Sequence, residues 1–179
     1  MTKIDYSPFI KSLRDCSLDT DSNEYMVEDF SNVICFDDFI REFFQTISKN
    51  EPPSSVDTIC MIDEEVYLIE FKNGKISRKE KRNICSKIAN SLLVMCHNEN
   101  SNLICKLNFM LVYNEEKNGE TKSSHRIKTA IRGLANTPTV MFKLGKYKST
   151  YFKEVKTFTK DEFARFINGK KISCKLFFN

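Results

Sequence analysis

The apolar side chains Phe36, Phe39, Ile40, Phe43, Phe44 and Ile47 recur at the i, i+3, i+4, i+7, i+8, i+11 spacing of one helix face, which predicts an amphipathic helix over 36–47. Asp37 or Asp38 favours its first turn through the helix dipole, and Pro52 and Pro53 lie beyond its end. After that break come two runs rich in Val, Ile and aromatics, 56–62 and 66–72, separated by Asp63-Glu64-Glu65 and ended by Asn73-Gly74. They read as a β-hairpin. A basic helix follows over about 77–96, with Ile84, Ile88, Leu92 and Met95 on its buried face and Arg78, Lys79, Lys81 and Arg82 crowding its first turns. Positive charge at a helix start opposes the macrodipole, so packing, or a phosphate held there, must stabilise this helix.

Further on, 103–113 reads as a buried strand, 114–124 as a polar loop and 126–135 as a short helix with Ile127, Ile131 and Leu134 inward. Strands are expected at 139–144 and 150–158, a helix at 160–167 and a last strand at 172–178. The first 33 residues are polar and acidic, with a helix expected near each of the apolar pieces 9–13 and 25–30. The order helix, hairpin, helix, strand predicts an α/β domain with a mixed sheet.

At 179 residues the chain is expected to form one domain, burying roughly 70% of its unfolded surface. Its longest apolar runs, 92–96 and 109–113, fall far short of the ~20 residues of a membrane helix. The first eleven residues lack the apolar stretch of a signal peptide, so an intracellular, cytoplasmic protein is expected. Seven cysteines show no CxxC spacing and read as reduced, mostly buried thiols, and Cys96-His97 reads as a helix end rather than a metal pair.

The net charge of +4 hides an asymmetry: residues 1–65 carry 5 basic and 15 acidic side chains, and residues 66–179 carry 23 and 9. Either a basic surface tracks a polyanion beside a set of carboxylates, or the two halves interleave and their charges pair.

The hairpin carries the candidate chemistry. Glu70 and Lys72 are two apart on a strand and share a face, while Phe71 points the other way. The turn returns Asp57 alongside them. Asp57 shares their face only if paired residue numbers sum to an odd value, and pairing Asp57 with Lys72, a sum of 129 closing the turn at Glu64-Glu65, meets that demand. Two carboxylates and an ammonium arranged this way can hold Mg²⁺ or Mn²⁺ and a water. Glu-x-Lys also begins at Glu115, Glu120 and Glu154. Only the Glu70 copy has an apolar strand before it, an aspartate thirteen positions upstream and a glycine stop after it.

Asp57, twelve intervening residues, then Glu70-Phe71-Lys72 and a helix, all preceded by the 36–47 helix, resembles the core of the PD-(D/E)XK nuclease superfamily over about 36–113. The resemblance implies a restriction-endonuclease-like three-layer core, with 1–35 as an N-terminal helical extension and 114–179 as a basic C-terminal part. It also implies metal binding by Asp57 and Glu70, water activation by Lys72, and phosphodiester cleavage. Val56 stands where the family has proline, and no Gln-x-x-x-Tyr follows, unlike the exonuclease branch. Many members add an acidic residue from the first helix, for which Asp38 and Glu42 are candidates and Glu42 the choice.

These readings together predict a Mg²⁺-dependent endonuclease, a hydrolase acting on nucleic acid, with DNA the expected partner and a homodimer a way to cut both strands. Arg78, Lys79, Lys81, Arg82 and Arg126 are the candidate phosphate contacts. Two alternatives compete: a non-catalytic nucleic-acid-binding module on the same fold, and a protein-binding inhibitor that presents the acidic first half as one exposed face. The plainest alternative for Asp57, Glu70 and Lys72 is a surface ion-pair cluster.

Overall fold

The computed structural model describes residues 5–48, 50–98, 107–118 and 140–174. A 3-10 turn at Ser7–Phe9 leads into strand β1 (Ile10–Ser12) and the single turn of helix α1 (Leu13–Cys16); a small hairpin of β2 (Leu18–Asp19) and β3 (Glu24–Tyr25) precedes β4 (Asn32–Cys35). Helix α2 (Phe36–Ile47), strands β5 (Thr58–Ile62) and β6 (Glu65–Lys72), helix α3 (Arg78–Asn98) and strand β7 (Asn108–Tyr113) follow. The described chain ends with β8 (Glu154–Thr159), helix α4 (Lys160–Ile167) and β9 (Ile172–Ser173).

The central sheet runs β1-β4-β5-β6-β7-β8, with β9 pairing beside β4 on the same edge of β5. It is mixed: β6, β7 and β8 are parallel, and the other pairs antiparallel. Alternation along the strands divides the core into two layers. Val66 and Leu68 of β6, with Phe109, Leu111 and Tyr113 of β7, face Phe36, Phe39 and Ile40 of α2 and Ile84, Ile88, Leu92 and Met95 of α3. Tyr67, Ile69 and Phe71, with Met110 and Val112, face Phe163 and Ile167 of α4. Helices thus flank both sides of a mixed α/β sheet. Glu70 and Lys72 follow the parity of Val66 and Leu68, which aims them at α3.

Helix α2 occupies the expected residues, and α4 starts at Thr159, whose side chain accepts the Glu162 N–H while the Glu162 carboxylate accepts the Thr159 N–H. The hairpin register pairs Thr58 with Ile69 and Ile62 with Glu65, so paired numbers sum to 127, odd as the chemistry requires but two less than expected. The turn closes at Asp63-Glu64, both left-handed at φ 49° and 71°. Asp63 can hold that conformation because its carboxylate accepts the Lys171 N–H at 3.1 Å and pairs with Lys170, binding the turn to the chain entering β9.

The N-terminal third departs from expectation. The stretch over 9–13 is a 3-10 turn, a strand and the start of α1, and no helix forms over 25–30. The segment is not a helical extension: β1 and β4 pair Ile10 with Ile34 and join the sheet, burying Leu13 and Val33. The strand expected at 139–144 is also corrected. Met141–Tyr147 is 3-10, interrupted by left-handed Phe142 and Lys143, and β8 begins only at Glu154. Phe142 of that stretch packs T-shaped with Tyr113 instead, and Phe152, ahead of β8, tilts against Phe109. The helix at 126–135, residues 103–106 and residues 175–178 lie outside the described residues. Among the described residues no helix is long and apolar enough to cross a membrane, and the described cysteines are unpaired.

Candidate active site

Asp57 sits one residue before β5, in line with Glu70 across the hairpin register. Its carbonyl accepts the Phe36 N–H at 2.9 Å, so the start of α2 fixes the backbone there. The Asp57 Oδ2 atom accepts the Phe71 N–H at 2.6 Å. Helix α3 braces the same segment from above: Ser91 Oγ accepts the Val56 N–H at 3.0 Å, and Asn90 Nδ2 donates to the Ser54 carbonyl at 2.9 Å.

The structure therefore brings Asp57, Glu70 and Lys72 together on the face that meets α3. Between the carboxylates lies a residue the sequence reading missed, Lys87. Its Nζ is 3.0 Å from Asp57 Oδ1, 2.8 Å from Glu70 Oε1 and 3.0 Å from Glu70 Oε2. Lys72 Nζ lies 3.6 Å from Glu70 Oε1 and 3.2 Å from Glu80 Oε2, so Glu80 of α3 is a further member. A pattern in α3 marks these residues: Asn83, Lys87 and Ser91 form a polar row at spacing four beside the apolar row Ile84, Ile88 and Leu92.

Glu70 is fully buried, and burial pushes its carboxyl up to about 8; the Asp57 charge adds to the rise, and Lys87 and Lys72 oppose it. For Lys87, burial works to lower the ammonium, but the charges of Asp57 and Glu70 outweigh it and raise the group above its ordinary value. Three carboxyl groups and two ammoniums share the cluster, which is neutral while Glu70 is protonated and one positive charge short once Glu70 ionises. Glu70 Oε1 is buried and meets Lys87 at 2.8 Å and Lys72 at 3.6 Å as ion-pair contacts, without a further hydrogen bond.

A buried carboxylate oxygen met by ion-pair contacts, a second carboxylate beside it and the positive charge that ionised Glu70 still needs fit a hard divalent cation. Among the described residues no group of three His, Cys, Asp or Glu side chains gathers as ligands. Mg²⁺ does not need one, because it keeps several waters and accepts one or two carboxylates plus substrate oxygens.

A cleft of about 760 Å³ opens beside the cluster. Its lining includes Asp57, Lys72, Glu80, Asn83 and Lys87 together with the Cys16–Ser22 stretch, Asn73, Lys75 and Lys117. Asn73, expected only to stop β6, is buried and pins the acidic β2–β3 hairpin, whose first strand and turn line the cleft. Its Nδ2 lies 3.0 Å from Asp19 Oδ2, 2.8 Å from Ser22 Oγ and 2.8 Å from Glu24 Oε2, while its Oδ1 accepts from Asn114 at 2.8 Å.

The remaining candidates lie elsewhere. Glu42 is exposed in a different depression with Pro8, Phe9, Asp38, Arg41 and Gln45, and Asp38 is held by Lys11 and Arg41. Neither joins the cluster: Glu42 faces solvent, and Asp38 is taken up by Lys11 of β1 and Arg41 of its own helix. Arg78, Lys79 and Arg82 are exposed and, like Lys81, do not line the cleft; Lys81 Nζ instead lies 5.8 Å from the Phe142 ring centroid. Arg126 lies outside the described residues. The two charge halves interleave in part, since Lys87–Asp57, Lys153–Glu65, Lys160–Glu24 and Lys170–Asp63 all pair across the division.

Comparison with protein-family models, with curated proteins and with solved structures finds no match to this chain.

Proposed function

We propose that this protein is a metal-dependent nuclease with a restriction-endonuclease-like core, hydrolysing phosphodiester bonds in nucleic acid, with DNA the preferred substrate. The observation that carries this reading is the convergence of Asp57, Glu70 and Lys72 on one sheet face, with a fully buried Glu70 oxygen left without a hydrogen bond. A surface ion-pair cluster does not account for it, because Glu70 is wholly buried and such burial is costly unless it serves something.

In this reading Asp57 and Glu70 hold Mg²⁺ or Mn²⁺. The bound ion supplies charge neutralisation at the phosphate and a more acidic water. Lys72 lines the cleft and is steered by Glu80, so its ammonium is placed to donate to the attacking water or to a non-bridging phosphate oxygen during in-line displacement. Asp57 keeps its orientation through the Phe71 N–H, which leaves Oδ1 directed toward Glu70 and Lys87. Lys75 and Lys117, which also line the cleft, add positive charge for the phosphate backbone.

The test is cleavage of labelled supercoiled, linear and single-stranded DNA and of RNA, with Mg²⁺, Mn²⁺ or EDTA, comparing wild type with Lys72→Ala. Cutting that needs the metal and is lost in the variant supports the proposal and names the substrate. Salt-sensitive binding without cutting makes the protein a nucleic-acid-binding module instead, and neither binding nor cutting turns the search to a protein partner.

A further inference from the structure

Lys87 is held by the two carboxylates that the proposed function assigns to a metal, and the role inferred for it rests on that assignment. Its ammonium is within 3.0 Å of Asp57 Oδ1 and of both Glu70 oxygens. A divalent ion bound to the same oxygens at roughly 2.0–2.1 Å would lie too close to an ammonium in that position for both to stay. Charge leads to the same exclusion. With Glu70 ionised, as a metal ligand must be, the cluster with Lys87 in place is one positive charge short, so adding a divalent cation would overshoot to an excess of one in a largely buried site. Withdrawing Lys87 restores neutrality.

The side chain has somewhere to go. It lines the cleft, and 19% of it is exposed even while paired. A lysine stem can swing its head into such a space while its methylenes stay packed. What it leaves are two hydrogen bonds, to Asp57 Oδ1 and Glu70 Oε2, and an ion-pair contact with Glu70 Oε1, all of which a divalent cation on the same oxygens replaces.

We propose that Lys87 is a built-in counter-ion of the metal-free site, exchanged for the divalent cation on loading and released into the cleft as a positive group facing the substrate phosphate. In the empty protein it keeps two closely spaced carboxylates from repelling each other. In the loaded protein it moves from stabilising the fold to meeting a polyanion.

The experiment measures Mn²⁺ binding without nucleic acid, by calorimetry and by the electron paramagnetic resonance of free Mn²⁺, for wild type and Lys87→Met. Removal of the competing ammonium is expected to tighten binding by about tenfold. A parallel measurement uses the wild-type chain alone: amine-reactive labelling of Lys87, followed by mass spectrometry, is expected to speed up several-fold on adding Mn²⁺. Wild-type binding with no gain in Lys87→Met and no change in labelling overturns the exchange and leaves the metal site standing. No Mn²⁺ binding by either protein overturns both.

Discussion

The backbone N–H of Phe71 donates a 2.6 Å hydrogen bond to Asp57 Oδ2, tying the end of β6 to the start of β5 at the open end of the hairpin. One carboxylate oxygen of Asp57 thus serves the fold while the other, Oδ1, faces Lys87 and Glu70. The division of labour lets structural and chemical roles be separated by substitution.

Asp57→Asn keeps an oxygen for the Phe71 N–H but loses the charge. We expect stability within about 1 kcal/mol of wild type and cleavage reduced by at least ~100-fold. Asp57→Ala leaves that N–H without its acceptor, and should lose about 1–3 kcal/mol in addition. Urea unfolding beside the cleavage assay checks both; an Asp57→Asn protein that cuts at the wild-type rate removes Asp57 from the chemistry.

Lys72 is partly exposed and pairs with Glu80 and more distantly with Glu70. The partly exposed Glu80 pair contributes roughly 0–1 kcal/mol and the Glu70 contact is long at 3.6 Å, so Lys72→Met should stay folded and still bind Mn²⁺. Its cleavage should fall by about 10²–10⁴-fold if the ammonium acts on the water or phosphate. Loss of metal binding in parallel would reassign Lys72 to holding Glu70 and Glu80 in place.

Glu70 makes the metal-free protein sensitive to pH. Its carboxyl titrates at 4.5 when solvated and is pushed up to about 8 in the fold. Between those values the native state binds the extra proton, so stability falls as pH rises from about 4.5 to about 8, with the full penalty present above that window. Glu70→Gln should flatten this slope in EDTA, and Mg²⁺ should flatten it in wild type by favouring the ionised carboxylate. Equal slopes for the two proteins in EDTA would place the pH dependence on other groups.

Asn73 holds three side chains of the β2–β3 hairpin and is itself held by Asn114. Asn73→Ala strands the buried Asn114 amide and frees the acidic hairpin. A loss of about 1–3 kcal/mol is expected, with faster proteolytic nicking over residues 19–24. Unchanged proteolysis would mean that other contacts, such as Lys160 with Glu24, suffice to hold the hairpin.

How far the sequence carried these conclusions depended on how local the cause was. Helix α2 and the hairpin were legible because their periods, 3.6 and 2, are written in contiguous residues. So was the shared face of Asp57, Glu70 and Lys72, since it needs only the parity of the register. The register itself was not, because the turn at Asp63-Glu64 is held by Lys170 and Lys171, more than a hundred residues away. Lys87 escaped for a related reason: a lysine in a basic helix looks solvated until the sheet it packs on is known to place two carboxylates under it. The N-terminal strands are short and pair with each other and with β5 across the sheet, so their polar, aperiodic residues carried no strand pattern to read.

The turn at Asp63-Glu64 is itself open to substitution. Glu64 is exposed with φ 71°, a conformation that costs a residue with a Cβ roughly 1–2 kcal/mol and costs glycine almost nothing. Asp63 precedes it at φ 49° and is compensated by the Lys171 N–H and Lys170, so only the second position carries strain without a matching contact in the turn backbone. Glu64→Gly turns the pair into Asp-Gly, the sequence preferred for a two-residue hairpin loop of this hand. Part of the relief is offset by the greater freedom of glycine in the unfolded chain. We expect a net gain of about 0.5–1 kcal/mol in urea unfolding, with cleavage unchanged, because the register that sets Asp57 against Glu70 is the one this turn already favours. Destabilisation by Glu64→Gly would show that the Glu64 side chain contributes more to the turn than its backbone strain costs.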